Sequence, residues 1–437
     1  MHLRFAVLVF LSALPFLRGA TPPPVRLTLD EALRLSEEAN LSVLIGREAI
    51  EQARGEADRE RSSLLPRVSL EAEQRRTRSV QVARSALTVS GPANRFDAVL
   101  AGNLSLLNPA DIASYRAARQ GVGIAEVELR ETLQAVLARV GETYFTHLRN
   151  LQRISVLDAN IARARALLDL ARRQLDAGVA TQIDVTRSEA QVAQAEQARI
   201  QQNTVVFDSE LQLKRLLNLE PFTPVDLAPF SVRRADELTA MEEIDRAVLE
   251  RRPDYVRATR VLEQTREALR AARLERVGSL GLFGEYGYAG ERAFDGRTEN
   301  AWFGGVNLSV PVFEGGRIRA NQRIVQAAVR AQEYQLRNLT LTIGSEVRLA
   351  LQDARSRFTQ IEVAERSLRL AEDELRLAQI RFERGAADNR EVIEAQNRLA
   401  VASDNVVEAI YLYNVSRLEL ARARGEVREI LREKTSA

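Results

Sequence analysis

The chain has 437 residues, 45% of them apolar, 5% aromatic and 28% charged, with 62 Lys and Arg against 60 Asp and Glu. That length holds two or three ordinary domains or one elongated one. Sparse aromatics, Gly and Pro beside abundant Ala, Leu, Arg, Glu and Gln favour long helices with narrow apolar seams. The near balance of charge gives little support for nucleic-acid binding, and the lack of any Cys excludes a disulfide framework and a lipid-accepting cysteine.

Residues 1–20 read as a secretory signal, with Arg4 in a charged start, an apolar run from Phe5 to Leu17 and a small residue at Ala20. The run is too short to cross a bilayer as a helix. Its removal takes Arg4 and Arg18 and no acid, so 62 − 2 = 60 basic residues face 60 acidic ones. Past it no run of 18 apolar residues occurs, so entry into a membrane would have to be made by strands. Thr28-Leu29-Asp30-Glu31 has the capping-box pattern and predicts a helix to about Leu65, where Pro66 stops it. The period then changes. Val68, Leu70 and Ala72 alternate with polar neighbours over 66–74, a polar Ser- and Arg-rich loop follows, and 96–106 reads as a second strand.

Beyond Asn108-Pro109 the longest helical run begins. Leu129, Leu133, Val136, Val140, Tyr144, Leu148, Leu151, Ile154, Leu157 and Ile161 recur about every 3.6 residues. Leu168 and Leu175 continue the seam a heptad apart, as in a coiled coil. From Pro109 to Gly178 such a helix is roughly 100 Å long, unless Gly121, Gly123 or Gly141 bends it. Gly178 is the predicted turn, since glycine leaves the helix at positive φ without steric cost. The stretch from Ile183 to Leu217 then returns antiparallel.

Residues 218–240 are Pro-rich and read as a connection. After them the plan repeats at an offset of 207, with Gly178 falling on Gly385, Ala171 on Ala378, Val185 on Val392 and Ala195 on Ala402. The expected organisation is therefore a signal at 1–20, a first repeat at 21–217, a linker at 218–240, a second repeat at 241–425 and a tail at 426–437. In the second repeat, Leu280, Leu282, Tyr286 and Tyr288 share one strand face, and Trp302, Val306, Leu308 and Val310 share another. Apolar alternation with aromatics near strand ends suits a transmembrane barrel, while an ordinary half-buried sheet on a helical domain uses the same pattern. Four strands do not close a barrel, whereas three copies supply twelve.

The stretches LLPRVSL at Leu64 to Leu70, AVLERRPDYVRA at Ala247 to Ala258 and VPVFEGGRIRANQ at Val310 to Gln322, together with the paired Gly hairpins, resemble the outer-membrane efflux protein family of TolC-like channels over about residues 25 to 425. Departures are Asn40-Leu41 where an Asn-Pro is common, and the divergent LLNPADIAS in the first half. The resemblance implies a mainly α chain with a transmembrane β-barrel. Four strands per chain would contribute to a 12-stranded trimeric barrel, and long antiparallel coiled-coil hairpins would form an α-barrel tunnel. It implies a homotrimer in the outer membrane of a Gram-negative bacterium, extending into the periplasm. Its partners would be outer membrane lipid, a periplasmic adaptor protein and an inner-membrane transporter, and its task export through a tripartite efflux pump or type I secretion system. Leu280, Leu282, Trp302, Val306 and Leu308 would face lipid. Gly178, Thr181, Gly385 and Asp388 would form the periplasmic tip turns, where the adaptor docks.

At that tip an acid follows each Gly by six residues, Asp184 and Glu391, and Glu394 shares the face of Glu391 by i,i+3 spacing. Under threefold symmetry these would ring a cation-selective pore aperture. Acids are equally at home on exposed helix starts, where the helix dipole favours them. The family's latching arginine position is Ala387 here, leaving Arg187 or Arg390 for a tip latch. An enzyme is not expected. His147 is the only histidine past the signal, and no Cys, phosphate loop, nucleophile elbow or metal-ligand spacing appears. No cofactor is expected either. The alternative from another class is a secreted coiled-coil scaffold or adhesin with a soluble sheet.

Overall fold

The computed structural model describes residues 25–83, 86–228, 246–293 and 297–428. The signal call at 1–20, most of the linker call and most of the tail call lie outside them. In chain order the elements are β1 (Val25–Leu27), α1 (Leu29–Ala39), α2 (Leu41–Ser62), β2 (Arg67–Ala83), β3 (Ala86–Leu107), α3 (Pro109–Asp176) and α4 (Gln182–Leu216). There follow β4 (Val225–Leu227), α5 (Arg246–Arg251), α6 (Pro253–Leu274), β5 (Ser279–Gly290), β6 (Thr298–Ser309), α7 (Arg317–Glu383) and α8 (Asn389–Arg424). The two longest helices end 207 residues apart, at Asp176 and Glu383, and their return helices start 207 apart, at Gln182 and Asn389.

Two expectations need correction. The helix from Thr28 is broken at Asn40, whose extended backbone caps α2: its Oδ1 accepts from Ser42 N at 2.9 Å and its Nδ2 donates to the Leu216 carbonyl at 2.7 Å. Arg252 makes the equivalent break before Pro253. The polar stretch after residue 74 is strand rather than loop, because β2 and β3 stay paired in antiparallel register from Arg67↔Asn103 to Ala83↔Ala86. Main-chain hydrogen bonds hold a ribbon together without an apolar face, so alternation disappears before the strand does. The glycines of α3 do not interrupt it, and it runs unbroken for 68 residues, about 100 Å.

The helices lie in a single layer. Near the strands α3 sits between α2 and α6, and α6 meets α7; toward the hairpin turns α3 sits between α4 and α8, and α8 meets α7. The largest core lies where these two arrangements change over. Leu33, Val43, Leu137, Val140, Tyr144, Leu213, Leu217 and Leu418 pack there around the parallel pair β1–β4. The Tyr144 hydroxyl lies 2.8 Å from the Ala228 carbonyl and 3.1 Å from that of Leu27, tying the ribbon to the middle of α3. Beyond the other end of the layer, β2-β3-β5-β6 form one antiparallel sheet with β2 and β6 as open edges. A single layer buries little. The chain exposes 28958 Å², against roughly 17,000 Å² for a compact monomer of 48.8 kDa.

Candidate functional site

The hairpin turns are built alike. Gly178 and Gly385 take φ of +73° and +68°, conformations that cost an L side chain roughly 1 kcal/mol or more. Each lets the chain bond back onto the helix it leaves: Val179 N donates to the Gln174 carbonyl at 2.9 Å, and Ala386 N to that of Arg381 at 2.8 Å. Beneath the turns Leu167 of α3 packs with Leu375, Phe382, Val392, Ala395 and Leu399 of the second hairpin.

The acids singled out in the sequence differ in what holds them. Asp184 Oδ2 accepts from Thr181 N at 3.0 Å and from the Thr181 hydroxyl at 2.6 Å, so its carboxylate closes the first turn of α4, and its side chain is only 14% exposed. Glu391 and Glu394 are 40% and 48% exposed. Glu391 meets Arg381 Nε at 3.2 Å across the hairpin, and Glu394 accepts from Arg390 Nε at 2.8 Å on its own helix. Asp388 caps α8, its Oδ1 accepting from Glu391 N at 3.3 Å. The two latch candidates also have partners on their own helices, Arg390 as stated and Arg187 at 3.9 Å from Asp184.

One residue here escaped the sequence reading. Asn389 is fully buried, and its Nδ2 donates across the two hairpins to the Asp184 carbonyl and to Ser188 Oγ, both at 2.7 Å. Its signal was present, because Asn389 lies on the seam continued by Val392, Gln396 and Leu399, all buried. A lone asparagine on an apolar seam fixes register at a cost in stability. His147 is packed: it is 3% exposed with Nδ1 at 2.8 Å from Ser209 Oγ, and burial holds its pKa below the ordinary value.

The sheet has two unlike faces. Register aligns Leu280 with Leu308, Leu282 with Val306 and Tyr286 with Trp302, and sets Leu100 beside both Leu70 and Tyr286. These side chains make a continuous apolar face on which Trp302 is 76%, Leu308 69% and Leu70 78% exposed. The opposite face carries Ser69, Glu71, Glu73, Asp97, Asn103, Glu285 and Asn307. No helix among the described residues is long and apolar enough to cross a membrane.

The family described as Outer membrane efflux protein matches residues 32–219 and 246–426. Proteases secretion protein PrtF of Dickeya chrysanthemi is 24% identical over 338 residues, 73% of this chain and 71% of its own. Outer membrane protein TolC of Vibrio cholerae is 24% identical over 376 residues, 84% of each chain. Among solved structures, the CmeC outer membrane channel of Campylobacter jejuni matches with a TM-score of 0.79 at 19% identity, over 91% of this chain and 86% of that one.

Proposed function

The chain belongs to the outer membrane efflux protein family, and from that premise we propose that three copies form one channel-tunnel, the exit duct of a tripartite efflux pump or type I secretion system. Such a protein is a transport duct of the outer membrane and not an enzyme. The observation that carries the trimer is a second seam on α7. Tyr334, Leu341, Leu349, Val363, Leu370 and Leu377, mostly a heptad apart, are all more than half exposed and lie apart from the buried seam through Ile343, Val347, Ala354 and Ile361. A heptad stripe is what a neighbouring helix packs into. The edge helix on the other side is α4, with Ile200 and Phe207 exposed a heptad apart.

The open sheet edges ask for the same closure. With β6 of one copy beside β2 of the next, three four-stranded sheets give a twelve-stranded barrel whose interior has room for a channel. Apolar rows then face lipid, Leu280, Leu282, Trp302, Val306 and Leu308 among them, and the Glu- and Asn-bearing rows face water. The helical layer closes in parallel into a twelve-helix tunnel across the periplasm. Its tip, formed by Gly178, Thr181, Gly385 and Asp388, is the docking end for a periplasmic adaptor and an inner-membrane transporter, which supplies the energy. Of the acids there, Glu391 and Glu394 line the aperture most openly, with Asp184 set back against its own helix. PrtF is by name a secretion protein for proteases, which supports the secretion arm.

We further read the signal at 1–20 and the two repeats, 21–217 and 241–425 joined by 218–240 and followed by the tail 426–437, as the chain's organisation. The test is direct. Purified from outer membranes, the protein runs as a heat-modifiable trimer and conducts ions in planar bilayers; recovery as a soluble periplasmic monomer overturns the proposal.

A further inference from the structure

The β2–β3 ribbon outruns the rest of the sheet. β3 pairs with β5 only as far as Phe96↔Gly290, and β5 with β6 only to Gly290↔Thr298, whereas β2 and β3 go on to Ala83↔Ala86. An arm of about 30 Å therefore rises alone from the end of the sheet remote from the helices. Between Gln74 and Phe96 the chain holds five arginines and no acid, and the two faces of the arm treat them differently. On the water-facing side Arg75 stands opposite Arg95 and Glu73 opposite Asp97. Both cations are neutralised there: Arg75 holds Glu73 with bonds of 2.9 and 2.7 Å, and Arg95 Nε donates to both Asp97 oxygens at 3.0 and 2.8 Å. On the other side Arg76 and Arg78 continue the alternation of Leu70, Ala72 and Gln74, because the register shift between Thr77 and Ser79 puts its extra residue on β3. Both are exposed, and among the described residues neither pairs with an acid. Depth follows from the register. Ala72 shares a row with Ala98, Tyr288 and Asn300, and Leu70 with Tyr286 and Trp302, rings of the kind that favour the headgroup level. Arg76 lies four residues beyond Ala72, about 13 Å of strand, or about 10 Å along the axis of a barrel tilted about 40°.

We propose that Arg76 and Arg78 form a phosphate-binding clamp for lipopolysaccharide at the outer leaflet of the outer membrane. The lipid A base of that glycolipid carries phosphate monoesters on its two sugars, and a planar guanidinium matches a phosphate with two parallel hydrogen bonds. The charge pattern selects this occupant. The two arginines stand on the lipid-facing side, just above the aromatic rows and at the end away from the periplasmic helices, and they lack an internal counter-ion, while the arginines facing water have one. Each of three copies presents one clamp, which holds its arm against the surrounding leaflet beside the outer mouth. It rests on the barrel reading above.

The test titrates purified protein in detergent with diphosphoryl lipid A, monophosphoryl lipid A and phosphatidylglycerol. Wild type is compared with an Arg76→Gln, Arg78→Gln double variant and with an Arg75→Gln, Arg95→Gln control, which removes the same charge from the water-facing side of the same arm. Each is first checked as a heat-modifiable trimer that conducts in planar bilayers. The expected result is that wild type and control bind diphosphoryl lipid A alike, about tenfold or more tighter than the outward variant. Wild type also prefers the diphosphoryl to the monophosphoryl form, and phosphatidylglycerol does not separate the three proteins. Equal binding of diphosphoryl lipid A by wild type and the outward variant, an equal loss in the control, or a parallel loss for phosphatidylglycerol overturns the clamp and spares the barrel. Should the outward variant fail to assemble, wild type alone decides, since indifference to the second phosphate overturns the clamp. Wild type that forms no conducting trimer overturns both readings.

Discussion

Asn389 offers the sharpest test of how the two hairpins of one subunit are held together. Its amide donates two hydrogen bonds of 2.7 Å in a fully buried position, one to the Asp184 carbonyl and one to Ser188 Oγ. At about 1 kcal/mol net for each buried bond, Asn389→Ala removes about 2 kcal/mol of the attraction between the tips. That corresponds to about a 30-fold shift in the equilibrium between joined and parted hairpins. Ser188→Ala spares the carbonyl contact and shifts it about fivefold. Asn389→Asp is worse than either, because a carboxylate puts a second acceptor against the Asp184 carbonyl. The natural chain has no Cys, so spin labels on Val179→Cys and Ala386→Cys at the exposed turns report tip separation without background. The expected result is a longer and broader distance distribution in Asn389→Ala, with higher single-channel conductance. An unchanged distribution together with unchanged conductance would refute the clamp.

Three further outcomes follow from the same geometry. Neutralising Glu391 and Glu394 to Gln lowers cation selectivity and relieves block by polyvalent cations in planar bilayers, while Asp184→Ala changes selectivity less and lowers the unfolding temperature through the lost capping bonds, worth about 1 kcal/mol. Tyr144→Phe leaves the Ala228 carbonyl short of a donor in the core and costs about 1–2 kcal/mol, read as an earlier thermal transition with unchanged conductance. His147, facing Ser209 with Glu210 and Lys214 nearby, has a pKa lowered chiefly by burial. A depressed pKa means that the unfolded chain takes up the proton first. Stability is therefore complete above the unfolded value of about 6.5 and falls as pH drops below it. The thermal transition of wild type should fall further between neutral and acidic pH than that of His147→Gln, and equal shifts would remove the claim.

The long helices were legible because a seam every 3.6 residues and a glycine at each turn are local signals, repeated at one offset in both halves. The sheet was legible only where one face is apolar. Alternation marks Val68 to Ala72 and Leu280 to Tyr288, and it fails over Arg75, Arg76 and Arg78, where pairing with β3 still carries the strand on to Ala83. The break at Asn40 was also hidden, because its reason lies 176 residues away at the Leu216 carbonyl. Likewise, the partners of Asn389 sit on the other hairpin, so its place on the seam was readable but its clamp was not.

The unequal standing of the tip acids comes down to one cap residue. In the first hairpin the N-cap is Thr181, whose hydroxyl and N–H both donate to the acid three positions on, so Asp184 is consumed by its own helix. In the second the N-cap is Asp388, which is itself the acceptor, for Glu391 N. A carboxylate at the cap has no side-chain proton to give, so the Glu391 side chain is released from capping and meets Arg381 of α7 instead. Changing the caps should change the roles. Asp388→Thr draws Glu391 back into a capping box and weakens cation selectivity more than Asp388→Asn, which removes the same charge but offers Glu391 no hydroxyl, whereas Thr181→Ala, which keeps every acid, loosens Asp184 from its helix start and strengthens it. If selectivity instead tracks only the number of carboxylates at the tip, the cap has no part in placing them.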